Sequence, residues 1–228
     1  MMARDQAPTA ACLASTPFVD GDHPAVRAFA EDAAGGRSPR DAAVALHYAV
    51  RDGFPYYPWR VCLEPGGYSA SVLLERPRAD GGHCIDKALL LAASARSLGI
   101  PARLHFANVR NHIGTAKMEE LLQTDLLVFH GYVELWLDGR WVATTPAFNR
   151  ELCAHLGVAP LEFDGRTDAI FQAYDGTTRF MEYVDDHGAF DDLPFDKMIA
   201  QWTLHYPHIM AAGRWPEPKR RTVADGTG

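Results

Sequence analysis

Apolar positions along the chain follow three different rules, and each predicts a different kind of element. The stretches Pro24 to Ala34 and Pro39 to Arg51 read as helices, the second with Ser38 as N-cap and Pro39 in the first helical position. From Ile85 to Leu98 almost every residue is apolar or small, with Asp86, Lys87, Ser94, Arg96 and Ser97 the only interruptions. A helix apolar nearly all round is a buried one. Gly81-Gly82 sets its start, and Gly99 followed by Ile100-Pro101 ends it, so Cys84 falls at the helix N-terminus.

The third rule is strict alternation, from His130 to Leu137, followed by Asp138-Gly139. That dipeptide between two alternating runs is the strongest short hairpin signal and predicts a two-residue type I′ turn. The turn sets a register that pairs Leu137 with Arg140, Trp136 with Trp141, Glu134 with Ala143 and Tyr132 with Thr145. Gly131, Val133, Leu135 and Leu137 then share one face, and His130, Tyr132, Glu134 and Trp136 the other. Thr145 lies on the face of His130, and Asn149 does too if the backbone continues extended. Glu134 reads as a sheet-surface charge.

A further strand is expected at Ala102 to Val109, with short helices at Ala116 to Leu122, Arg150 to Leu156 and Asp196 to His205. The segment from Arg110 to Leu127 then becomes a lid or substrate wall between cysteine helix and histidine strand. The fold class is α+β, and one domain is expected over residues 23–215. Residues 1–22 and 216–228 read as flexible, being poor in apolar periodicity.

Composition narrows the function. With 228 residues, 47% of them hydrophobic, the chain can bury a sizeable core. A net charge of −7 argues against nucleic acid and anionic membranes as partners, and Lys219-Arg220-Arg221 is too short to change that. No apolar run approaches spanning length and the first residues form no secretory h-region, so a cytoplasmic location is expected. Four scattered cysteines, Cys12, Cys62, Cys84 and Cys153, read as reduced thiols.

An isolated cysteine is most often a small buried hydrophobe. At a helix start, however, free N–H groups and the dipole favour the thiolate, the form that attacks carbonyls. His130, opening the hairpin, can act as its base. Two other readings bear on these residues. Cys84, His105, His112 and His130 have zinc-compatible chemistry but lack the short spacings that preorganise ligands. Asp164, Asp168, Asp185, Asp186, Asp191 and Asp192 lack the order of a calcium loop and read as solvated turns. Tyr56, Tyr57, Trp59, Tyr68, Trp136 and Trp141 are groove candidates, although most aromatics are core.

Cys84 opening a helix, Leu98-Gly99-Ile100-Pro101-Ala102-Arg103 closing it, and His130 before Val133-Glu134-Leu135-Trp136 and Gly139-Arg140-Trp141 resemble the transglutaminase-like core. The resemblance covers roughly residues 69–149. It implies a papain-like core with the cysteine-bearing helix packed on an antiparallel sheet, and acyl transfer through a thioester without metal or cofactor. Cys84 would be the nucleophile and His130 the base. The third family position, normally an aspartate before proline, falls at Thr145 of Thr144-Thr145-Pro146. A threonine can accept the imidazole proton but brings no charge; an amide can also orient the ring, and Asn149 stands beside Thr145 as the second candidate.

The Cys84 N–H is an expected oxyanion donor. His83 would shape the loop or tune the thiol and, with Asn111, His112 and Tyr132, is a candidate substrate contact. The implied substrate is a peptide, a protein or a small amide or ester. Water as second nucleophile would make a peptidase or amidase, an amine a transamidase. An inactive interaction module is the alternative that the missing aspartate raises.

Overall fold

The computed structural model describes residues 6–111, 116–170 and 181–215. Helices α1 (Pro24–Ala34) and α2 (Pro39–Gly53) begin at the expected prolines, with the Ser38 hydroxyl accepting the Asp41 N–H. A short α3 (Ala70–Glu75) precedes α4 (Cys84–Ser97), and then come β1 (Ala102–Asn111), α5 (Ala116–Leu122), β2 (Leu126–Leu137) and β3 (Arg140–Thr144). After α6 (Arg150–Leu156), β4 (Met181–Phe190), α7 (Phe195–His205) and α8 (Pro207–Ala212) complete the described fold. The four-stranded sheet has the order β3-β2-β1-β4, each neighbour antiparallel.

Helix α4 is the centre of the molecule. It packs on α1, α2 and α3 on one side and on β1 and β2 on the other, which is why it is apolar all round. Its C-terminus closes in a Schellman motif: the Ile100 N–H donates to the Ala95 carbonyl, the Gly99 N–H donates to that of Arg96, and Gly99 takes φ +76°.

The polar interruptions of α4 each have a buried job. Lys87, fully buried, donates to the carbonyls of Arg51, Phe54 and Ala147 at 2.7 to 2.8 Å, tying the end of α2 and the loop after β3 to the helix. Burial pulls its pKa down to about 7, with the Asp52 carboxylate working in the opposite sense, and the three carbonyls use all three ammonium protons. Arg96 likewise donates to the carbonyls of Ala14, Ala102 and Asp191. Residues 6–22, expected to be flexible, are tied to the body by that Ala14 contact, by Trp141 Nε1 on the Gln6 carbonyl and by fully buried Val19.

The hairpin has the expected turn, with φ +49° at Asp138 and +82° at Gly139, and the expected pairs Leu137–Arg140, Trp136–Trp141 and Glu134–Ala143. Its ladder ends at Val133–Thr144, one step short of the anticipated Tyr132–Thr145 pair. Between β1 and β2 the register slips: Ala107 faces His130 but Val109 faces Leu127, so Val128 and Phe129 together oppose Asn108. This is a β-bulge, and Phe129 sits in it at φ +65°.

Two sequence expectations are corrected on the sheet. Glu134 is no surface charge: it is fully buried, with Arg103 Nε at 2.5 Å and His105 Nδ1 at 3.4 Å. Burial pushes its carboxyl up, but His105 and the Arg103 guanidinium outweigh this and hold it at about 2. Asp185 and Asp186, expected in turns, belong to β4, and Asp186 Oδ1 lies 2.6 Å from His105 Nε2.

Candidate active site

Cys84 is the first residue of α4. The helix start is fixed by an N-cap that sequence reasoning did not anticipate: His83 Nδ1 accepts the Ile85 N–H at 3.1 Å, and Asp86 Oδ2 accepts the His83 N–H at 3.1 Å. Because Nδ1 accepts, the His83 proton sits on Nε2. Upstream, Gly82 exchanges backbone bonds with Pro55 and Tyr57, which sets the loop against the end of α2. Downstream, the helix start meets β2 at Gly131, where a Cβ would stand 3.1 Å from the Phe106 ring and 3.5 Å from the Ile85 Cα. The missing side chain at Gly131 lets the helix start lie close to that strand, where the Gly131 N–H favours the ionised form of the Cys84 thiol.

Cys84 and His130 therefore come together, and with His83 they line one open pocket of about 480 Å³. Burial pushes the Cys84 thiol up to about 11, and the Asp86 carboxylate adds to the rise; the N–H groups of Gly131 and Ile85 pull the other way without prevailing. Burial likewise pulls His130 down to about 4, with His83 adding to the fall. At neutral pH the two groups are a neutral thiol and a neutral imidazole. This corrects the expectation that the helix start alone would favour a thiolate: a dipole effect on the order of 1 kcal/mol does not offset the desolvation of this partly buried thiol.

His130 is 2% exposed, and neither ring nitrogen has a hydrogen-bond partner. Thr145 Oγ1 is also buried and unpaired, although its backbone N–H donates to the Ala169 carbonyl at 3.0 Å. The other hydroxyl of the pair, Thr144 Oγ1, lies 2.9 Å from His47 Nδ1 on the opposite side. Asn149 does not hydrogen-bond His130, whose ring nitrogens are both unpaired; its amide is turned elsewhere, with Oδ1 accepting the Tyr56 N–H at 2.9 Å and Nδ2 donating to Glu151 at 2.6 Å. The loop after β3 thus holds Asn149 as a clamp on the chain entering the cysteine loop.

Of the expected substrate contacts, His83 lines the pocket while also capping α4. Tyr132 is turned to a different task, stacked on His105 at 4.6 Å between ring centres beside the Glu134 carboxylate. Asn111 has its backbone in β1 opposite Met181; its side chain and His112 lie outside the described residues. Among the described residues no group of three His, Cys, Asp or Glu side chains could hold a metal ion. His105, one member of the zinc reading, is engaged by Asp186.

Part of the pocket wall was legible beforehand, since Met118, Leu122 and Leu127 belong to the segment expected as a lid or substrate wall, but the rest was not. Of the aromatic candidates only Tyr56 lines it; Tyr68 is core, and Trp136 and Trp141 pack on each other across the hairpin. The wall comes from Met118 and Leu122 of α5, the bulge at Val128–Phe129, and Trp202, Tyr206 and Trp215. A signal for two of these was present, since Trp202 and Tyr206 stand one helical turn apart and so share a face.

Those two aromatics also hold the bulge. Trp202 Nε1 donates to the Val128 carbonyl at 3.1 Å, and the Val128 N–H donates to the Tyr206 hydroxyl at 2.7 Å. From the β1 side, Asn108 Oδ1 accepts the Phe129 N–H at 3.0 Å and the His187 Nε2–H at 2.9 Å. A non-glycine residue with positive φ costs roughly 1–3 kcal/mol and persists only when its surroundings fix it. Here three side chains do so immediately before His130, with His187 bracing Asn108.

Comparison with known proteins agrees with this architecture. No curated protein matches the chain. Among solved structures, "a Putative Cysteine Protease from Cytophaga hutchinsonii" superposes with a TM-score of 0.50 over 82% of this chain at 15% identity, a likeness of fold. The chain spans about half of that structure, 48% of its length. No helix among the described residues is long and apolar enough to cross a membrane. The Transglutaminase-like superfamily matches residues 27–146, more than half of the chain, taking in α1 and α2 as well as the cysteine helix and the histidine hairpin, and the chain belongs to that superfamily.

Proposed function

We propose that this protein is a thiol-dependent acyl-transfer enzyme acting on an amide or ester. The observation that carries the reading is the convergence of Cys84 and His130 on one pocket, with both His130 ring nitrogens unpaired. A neutral imidazole beside a neutral thiol is the protonation state a general base requires. His130 takes the thiol proton as sulfur bonds to the carbonyl carbon, then returns it to the departing amine or alkoxide as the thioester forms. Water or an amine then attacks the thioester, giving hydrolysis or transamidation and restoring the thiol. No metal or cofactor enters these steps. The Cys84 N–H, at a helix start, and the adjacent backbone supply donors for the oxyanion.

The test is the mass of the intact protein after mixing with activated esters and peptides. An acyl adduct is expected on Cys84, absent in Cys84→Ala, and its decay with and without added primary amine separates hydrolase from transamidase. One observation favours a second reading, an inactive interaction module: neither Thr145 nor Asn149 bonds to His130. Folded protein that forms no adduct with any acyl donor would establish that reading instead.

A further inference from the structure

Resting on the acyl-transfer reading, we infer that the acyl donor carries a bulky, uncharged apolar group beside the carbonyl that Cys84 attacks. The pocket wall is the reason. Its described lining includes Val61, Met118, Leu122, Leu127, Trp202 and Trp215, and contains no Asp, Glu, Lys or Arg. The polar atoms of Trp202 and Tyr206 are consumed by the backbone of Leu126 and Val128, so both aromatics offer the pocket carbon surface only.

The unpaired polar atoms of the lining point the same way. His83 Nε2, which stands 3.7 Å from Asp86 Oδ2, and Trp215 Nε1 are buried N–H donors without a hydrogen bond. Carbonyl oxygens of a substrate can satisfy them. An ammonium group on the substrate would meet no carboxylate there, and a carboxylate would meet no Lys or Arg, so either charge would be desolvated without compensation. Trp202, Tyr206 and Trp215 also lie beyond residue 146, where the superfamily match ends. The preference therefore rests in part on residues outside the matched region.

Three p-nitrophenyl esters test the inference on the intact protein: acetate, phenylacetate and hemisuccinate. Acylation of Cys84 is followed by nitrophenolate release and intact mass, with each rate divided by that of the same ester with glutathione to remove intrinsic reactivity. We expect phenylacetate to exceed acetate by at least ~10-fold, a discrimination typical of apolar pockets, and hemisuccinate to fall below acetate. Met118→Glu, at a half-buried position on the wall, should bring the phenylacetate rate back toward that of acetate. A flat ranking, or hemisuccinate first, would overturn the substrate class while leaving acyl transfer standing. Failure of every ester to modify Cys84 would instead sink the acyl-transfer reading on which the inference rests.

Discussion

The Tyr206 hydroxyl accepts the Val128 N–H at 2.7 Å and donates to the Leu126 carbonyl at 2.8 Å, so a residue between the last two described helices fixes the strand just before His130. Tyr206→Phe removes both bonds and leaves a buried N–H unpaired, which costs about 1–3 kcal/mol of stability. Because the bulge aims His130, kcat should fall by about tenfold or more with KM changing less, and the NMR signal of the His130 ring should shift. A stability loss of that size with kcat and the His130 signal unchanged would reduce Tyr206 to a packing role.

Alkylation reads the state of the nucleophile. With burial holding the Cys84 thiol near 11, iodoacetamide labelling of this residue should climb with pH through the alkaline range, with a midpoint well above the 8.5 of a free cysteine. Peptide mass spectrometry resolves it from Cys12, Cys62 and Cys153. A midpoint below neutrality would mean that Cys84 rests as a thiolate beside an imidazolium.

Acid should weaken the fold from an unusually high pH. Burial depresses His47 to about 3 and His130 to about 4, and lowers His83 as well. Between their ordinary value of about 6.5 and these lower ones, the unfolded chain binds protons that the folded chain does not. Stability is then complete above 6.5 and is lost as pH falls toward 4, by about 1.4 kcal/mol per pH unit for each proton taken up. Urea unfolding at pH 7, 6 and 5 measures the slope, and a flat profile would show that the histidines are not buried neutral.

Thr145→Asp puts a carboxylate where the superfamily usually has one. Thr145 Oγ1 and both His130 ring nitrogens are buried and unpaired, so a carboxylate within reach of the ring would stabilise the imidazolium. An opposite charge raises an imidazole pKa by about 1–3 units. The His130 titration, followed by NMR, should move up from about 4 by that amount, together with the acid limb of the rate profile. An unmoved titration in a folded variant would place Thr145 out of reach of His130.

Much of the core was legible because its signals are local. Asp138-Gly139 demands a positive φ at two successive residues, and that alone sets the hairpin register from Leu137 to Glu134. Helix α4 announces itself by composition, and its Gly99 stop is a Schellman closure. The pieces that escaped depend on distant partners. In β4, Glu182, Asp185 and Asp186 imitate a solvated turn, because an edge strand need not be apolar. Lys87 looks like a surface interruption until three carbonyls from other segments surround it. The bulge carries no motif, since Val128 and Phe129 are ordinary strand residues whose conformation is imposed by Asn108, Trp202 and Tyr206. The absence of an orienting bond to His130 could be suspected from Thr145, but the commitment of Asn149 to Tyr56 could not.

The grip of Tyr206 on Val128 spans 78 residues of chain, whereas the β2–β3 hairpin closes through a two-residue turn. Loop closure of such different lengths imposes an order on assembly. The thiol's helix and the hairpin can form while the last segment is still leaving the ribosome, yet the strand ahead of His130 lacks its clamp until that segment folds back. The bulge ahead of His130 is thus set only when residues far along the chain return to it, later than the local pairing of the hairpin.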